Sequence, residues 1–134
     1  MKLDPFPVWG NGNQTRNFTH VSDTVKGLSL LGADERDLEF DVFNIGTSTH
    51  IKVIDFISEI HSQLNWKPKD WNFEIDKPTG VSSRASDNSK ILNTFGWEPN
   101  ISIKEGIEKT IDWYLNSNER PKNIEQLNSK LLAR

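Results

Sequence analysis

The apolar positions of this chain change period several times, and each change marks an element. "FPVWGNGNQTRNFTHV" (6–21) reads as strand, turn and strand, with Asn11-Gly12 supplying the positive-φ positions of a tight reversal. Ser22 then caps a helix in which Val25, Leu28 and Leu31 recur at helical spacing, with Gly32 ending it. The polar stretch 32–41 is a surface connection. "VFNIG" (42–46) is a short, nearly all-apolar run closed by glycine, the pattern of a buried strand in an α/β sheet. Val53, Phe56, Ile57, Ile60 and Leu64 make one stripe of a three-turn helix. "NFEI" (72–75) alternates as another strand, and 76–84 is an irregular loop. Asp87 caps a short helix that turns Ile91, Leu92 and Phe95 inward and stops at Gly96. Ser102 and Glu105 are spaced as a capping box for a helix carrying Ile103, Ile107, Ile111 and Leu115. Pro121 opens a last helix, the 119–134 tail, with Ile124, Leu127 and Leu131 on one face. Short strands alternating with about five helices predict a small α/β domain spanning residues 1–134.

Composition narrows the chemistry mainly by exclusion. Hydrophobic residues are 34% and charged residues 26% of the 134, as expected of a soluble globular domain. A net charge of −3 with dispersed Lys and Arg argues against a nucleic-acid surface, which needs clustered cations. The chain has no Cys, which removes thiol chemistry and disulfides and suits a reducing cytoplasm. Its longest early apolar run, "LSLL" (28–31), is too short for a signal or a membrane span. Sequons at Asn13, Asn17 and Asn100 are therefore expected to be chance in an Asn-rich chain.

Catalytic signatures are absent as well. None of the eight glycines forms a Gly-x-Gly-x-x-Gly fingerprint, so this chain is expected to bind no dinucleotide cofactor. The lone Tyr114 is followed four positions later by Asn118, not Lys. His20, His50 and His61 lack metal-ligand spacing, and no metal and no catalytic residue are assigned. Two arginines stand out instead. Arg16 lies in "GNGNQTRNF" and Arg84 in "KPTGVSSRASDNSK", each in a loop rich in small residues at the mouth of an element. A guanidinium there suits phosphate, because its planar fork of donors matches two oxygens at once. From spacing alone, solvated or ion-paired surface arginines are the more ordinary reading of the same residues.

Six short motifs in order carry a resemblance. They are Gly10-Asn11-Gly12, Gln14-Thr15-Arg16-Asn17-Phe18, Asn44-Ile45-Gly46, Arg84 to Lys90 ("RASDNSK"), Phe95 to Pro99 ("FGWEP") and Trp113-Tyr114. Over residues 5 to 118 the chain resembles the C-terminal, substrate-binding half of the NAD-dependent epimerase/dehydratase family. These are extended short-chain dehydrogenases acting on nucleotide sugars. "VWGNGNQTRNFT" and "GVSSRASDN" look most like its GDP-mannose 3,5-epimerases, and "KPTG" also suits its GDP-L-fucose synthases.

The resemblance implies a domain that folds over an NAD(P)-bound Rossmann domain, here expected to be absent and supplied in cis or trans. It further implies that Arg16 and Arg84 hold the substrate diphosphate of a nucleotide sugar, GDP-sugar favoured. Trp9 lines the nucleoside pocket or packs as core. Asn44 and Lys90 are structural, Asp87 is a helix cap and Trp97 a core anchor. Asn17 stands where the family has Asp, which removes a carboxylate partner for Arg16, and Ser22 stands where an acid is common. Alone the chain is expected to be inactive. An interaction module that self-associates through the face left uncovered is the alternative.

Overall fold

The computed structural model describes residues 3–35 and 40–117. The expected hairpin at 6–21 does not form. Strand β1 (Phe6–Trp9) pairs in parallel with β4 (Trp71–Glu74), Phe6 opposite Trp71 and Trp9 opposite Glu74. Strand β2 (Thr15–Arg16) pairs antiparallel with β3 (Ile51–Lys52). The reason lies in the intervening turn. Gly10 and Gly12 both adopt positive φ, and the turn carbonyls face the start of helix α2 (Val53–Gln63). Val53 N–H donates to Gln14 O at 3.0 Å and Ile54 N–H to Gly12 O at 3.0 Å. Two otherwise orphaned amides of α2 are satisfied by these carbonyls, the N-cap residue Lys52 making no side-chain capping bond.

Helix α1 (Val21–Gly32) begins two residues earlier than its sequence suggests, with His20 rather than Ser22 at the N-cap, its side chain accepting from Ser22 N–H. Its period is as expected, but its buried side is not the apolar one. Val25 and Leu28 are 52% and 56% exposed, while Asp23 and Gly27 are buried. Gly27 permits close approach to Ile45 and Trp97. Asp23 Oδ2 accepts from Asn100 N–H (3.1 Å) and Ile101 N–H (2.9 Å), tying α1 to the start of α4 (Ile103–Asn116).

Residues 42–46 form no strand. They run without a ladder partner among the described residues, and Phe40 and Val42 are 84% and 60% exposed. The segment is fastened by side chains instead. Phe43 meets Phe95 edge-on, Asn44 Nδ2 donates to Asp87 O, and Lys90 bonds Asp41 and Val42 O while lying 4.5 Å over the Phe43 ring.

Helix α3 (Ser89–Phe95) has Asn88 at its N-cap, and Asp87 accepts from Ser89 N–H. Hydrogen bonds from the Ser89 side chain and backbone hold the Asp87 carboxyl below its ordinary pKa. Gly96 closes α3 in the left-handed conformation. Ile91 is fully buried but Leu92 is 44% exposed. Ser102 caps α4 by accepting from Glu105 N–H.

The described residues thus hold four helices, and the tail expected at 119–134 lies outside them. The large hydrophobics they bury are Val8, Ile91, Trp97 and Ile107. Among them no helix is long and apolar enough to cross a membrane.

Candidate functional site

The arginine-bearing edge is assembled by lateral pairing of two loops. Thr15 in β2 forms an isolated parallel bridge with Ser83, its N–H donating to Ser82 O at 2.9 Å. Thr15 Oγ1 also donates to Ser83 Oγ at 2.9 Å, and His50 Nδ1 lies 3.5 Å from that hydroxyl. The bridge sets Arg16 and Arg84, distant in sequence, one residue beyond the same rung.

Arg16 is half-buried and its guanidinium is already gripped. Nη1 donates to Thr15 O (2.7 Å) and Val81 O (2.9 Å), and Nη2 to Thr79 O (2.8 Å). These carbonyls fix the orientation that the sequence left open at Asn17. They leave Nε–H and one Nη2–H unused, enough to receive one anionic group in a fixed direction. Asn17 has a different task. Its Nδ2 donates to Thr47 O and Thr49 O, which a carboxylate in that place could not do.

Arg84 is exposed and makes no hydrogen bond or ion pair among the described residues. Trp9 ends β1 and is 54% exposed, so it is not core. Gln14 Nε2 donates to Trp9 O across the turn, linking the indole to the start of β2. Lys77 Nζ lies 5.8 Å from the centre of the Trp9 ring. The edge therefore presents one indole, two arginines and a lysine, with Ser83 and His50 beside them. Sequence reasoning named Trp9, Arg16 and Arg84, with Ser83 inside the small-residue loop of Arg84, but did not place Lys77, His50 or Thr79 beside them. The loop "PTGVSS" (78–83) holds Thr79 but says nothing of what it pairs with, and Lys77 and His50 lie outside it.

The Gly10–Gly12 turn does not fit a dinucleotide pyrophosphate. A Cβ at Gly10 would overlap Thr79 Cγ2, and one at Gly12 would lie 2.9 Å from Ile54 Cβ. The space that a phosphate cradle keeps open is filled by the protein's own side chains. Among the described residues no group of His, Asp or Glu could hold a metal ion.

Helices packed on short strands have the form found in extended short-chain epimerases and dehydratases. The UDP-glucuronic acid 4-epimerase of Bacillus cereus, solved with UDP-glucuronic acid and NAD, superposes with a TM-score of 0.73 at 26% identity. The match covers 81% of this chain and 34% of that one. The GDP-mannose 3,5-epimerase of Arabidopsis thaliana is 34% identical over 121 residues, 89% of this chain and 30% of the relative. The human dTDP-D-glucose 4,6-dehydratase is 30% identical over 125 residues, 89% and 35% respectively. The family model for GDP-mannose 4,6 dehydratase matches residues 1–110. The chain belongs to that family, among the NAD-dependent epimerases and dehydratases of nucleotide sugars. It spans about a third of the length of the curated relatives it matches.

Proposed function

We propose that this chain is the substrate-binding portion of an NAD(P)-dependent nucleotide-sugar epimerase or dehydratase. In this reading Arg16 and Arg84 hold the diphosphate, and Trp9 offers its exposed face to the base, displacing Lys77 toward the phosphates. The observation that carries it is the Thr15–Ser83 bridge, which places both guanidinium-bearing residues at one edge. Arg16 supplies a preset direction, because three carbonyls already hold it. Exposed Arg84 supplies the second, adjustable contact. Binding energy from the unreacting diphosphate would position the sugar for chemistry on a second domain. That domain would hold NAD(P), for which the Gly10–Gly12 turn leaves no room. The sequence motifs and the likeness to a GDP-mannose epimerase favour a GDP-sugar.

Calorimetry at low salt tests this reading. The expected result is saturable binding of GDP-mannose, tighter than of UDP-glucuronic acid or dTDP-glucose, and weakened about tenfold by Arg84→Ala. Arg84 is the cleaner probe, since Arg16→Ala would also release the 79–81 loop. No heat with any of the three nucleotide sugars would overturn the reading.

A second reading rests on α1. Its exposed Val21, Val25 and Leu28, together with the exposed Phe40 and Val42, offer apolar surface suited to a partner domain or another copy. Sedimentation velocity is expected to show concentration-dependent association that Val25→Asp/Leu28→Asp abolishes without unfolding the chain. A monomer at every concentration would count against it.

A further inference from the structure

The end of the β1–β4 ladder sets a carboxylate beside the exposed indole. Successive side chains of a strand alternate between its two faces. In β1, Val8 is 3% exposed on the inner face, and Trp9, next along, is 54% exposed on the outer one. Register partners in this parallel ladder share a face. Phe6 and Trp71 are such a pair, and their rings meet edge-on with centroids 5.7 Å apart. Trp9 has Glu74 as its partner, so the two side chains leave the same outer face one strand spacing apart, about 4.8 Å. Glu74 is half-buried, and its carbonyl accepts from Gly10 N–H (2.8 Å) and Lys77 N–H (3.1 Å), which pins its backbone. Its carboxylate makes no hydrogen bond or ion pair among the described residues. Lys77, three residues on, lies over the indole instead.

We infer that Glu74 selects the base, its carboxylate accepting from the N1–H and the N2 amino group of a guanine stacked on Trp9. The inference rests on the reading of Trp9 as the nucleoside contact. An ionised carboxylate offers acceptors only. Guanine presents two adjacent donors on its Watson–Crick edge, spaced to meet both carboxylate oxygens in charge-assisted bonds. Uracil and thymine present a single N3–H between two carbonyl oxygens, which a carboxylate repels. Adenine and cytosine each set their amino group beside a bare ring nitrogen, a second acceptor. Stacking on an indole tolerates every base, because each has a π face. Trp9 therefore supplies affinity without choice, and the arginines answer a diphosphate that all these nucleotides share. Discrimination falls to the carboxylate. Its half-buried place strengthens such bonds over those of a fully exposed acid. Asp76, the neighbouring acid, is exposed and lies beyond the ladder, so nothing holds it beside the indole.

Calorimetry of the full chain at low salt with GDP, IDP, UDP and dTDP tests the inference. The wild type should bind GDP about tenfold tighter than UDP or dTDP. IDP, which keeps N1–H but lacks the amino group, should fall between them. Glu74→Gln should weaken GDP binding about tenfold and leave UDP and dTDP unchanged, so the preference collapses while UDP binding shows the site intact. Asp76→Asn should keep the preference. Arg84→Ala should weaken all four nucleotides alike and leave their ranking unchanged. A GDP-to-UDP ratio that Glu74→Gln does not alter would overturn this inference and leave the diphosphate reading standing. Equal loss of GDP and UDP in Glu74→Gln would make Glu74 a structural support and overturn it as well, as would a preference that Asp76→Asn abolishes. No binding of any nucleotide to the wild type would overturn both readings together.

Discussion

His61 is 5% exposed and ringed by Phe6, Trp66 and Trp71, with centroids 4.7, 4.7 and 5.5 Å away. No carboxylate pairs with it, and its Nδ1 has no hydrogen-bond partner among the described residues. Burial lowers its pKa from the ordinary 6.5. The folded state then binds fewer protons than the unfolded state once pH falls through 6.5, so stability is lost on acidification. Urea unfolding at pH 7.5 and 5.5 should show the wild type losing stability at the lower pH, and His61→Phe losing less. Equal losses in the two proteins would contradict the assignment. Sequence spacing marked His61 as no ligand, but nothing in it revealed an aromatic box drawn from β1, the α2–β4 connection and β4. The arginines were half legible in the same sense. Residue type and loop composition singled out Arg16 and Arg84 as phosphate-suited, whereas their meeting at one edge depends on a Thr15–Ser83 bridge no periodicity encodes.

At the scale of elements, helix periods were readable and strand partners were not. The stripes of α2 and α4, the Ser102 cap and the Gly96 stop all follow local rules that one segment can satisfy alone. Pairing is a choice among distant segments, and the expected hairpin lost because the turn carbonyls serve α2 instead. For α1 the period was right and its direction wrong, since the helix is held by the charged residue on its inner side. Asp23 accepts two backbone amides in a fully buried position. Asp23→Ala should cost about 2–3 kcal/mol in chemical denaturation, because it strips a charged acceptor from two amides at once. A loss below a few tenths would mean that α1 is fastened elsewhere.

Over the whole molecule, the described residues bury few large hydrophobics and leave three apolar surfaces open: the outer face of α1, the exposed side chains of Phe40 and Val42, and the α2–α4 groove. A chain spanning about a third of its relatives' length would carry such surfaces if it were built to be covered. The arginine edge differs, being polar, cationic and internally braced. The proposed diphosphate site at Arg16 and Arg84 rests on that contrast. The most direct measurement is a titration of the isotope-labelled chain with GDP-mannose, followed by amide chemical shifts. The account predicts saturable shifts at residues 9–16 and 77–84, largest near Arg16 and Arg84 and fading as salt rises from 50 to 200 mM. Shifts confined to α1 or to the α2–α4 groove, or none at millimolar ligand, would contradict it.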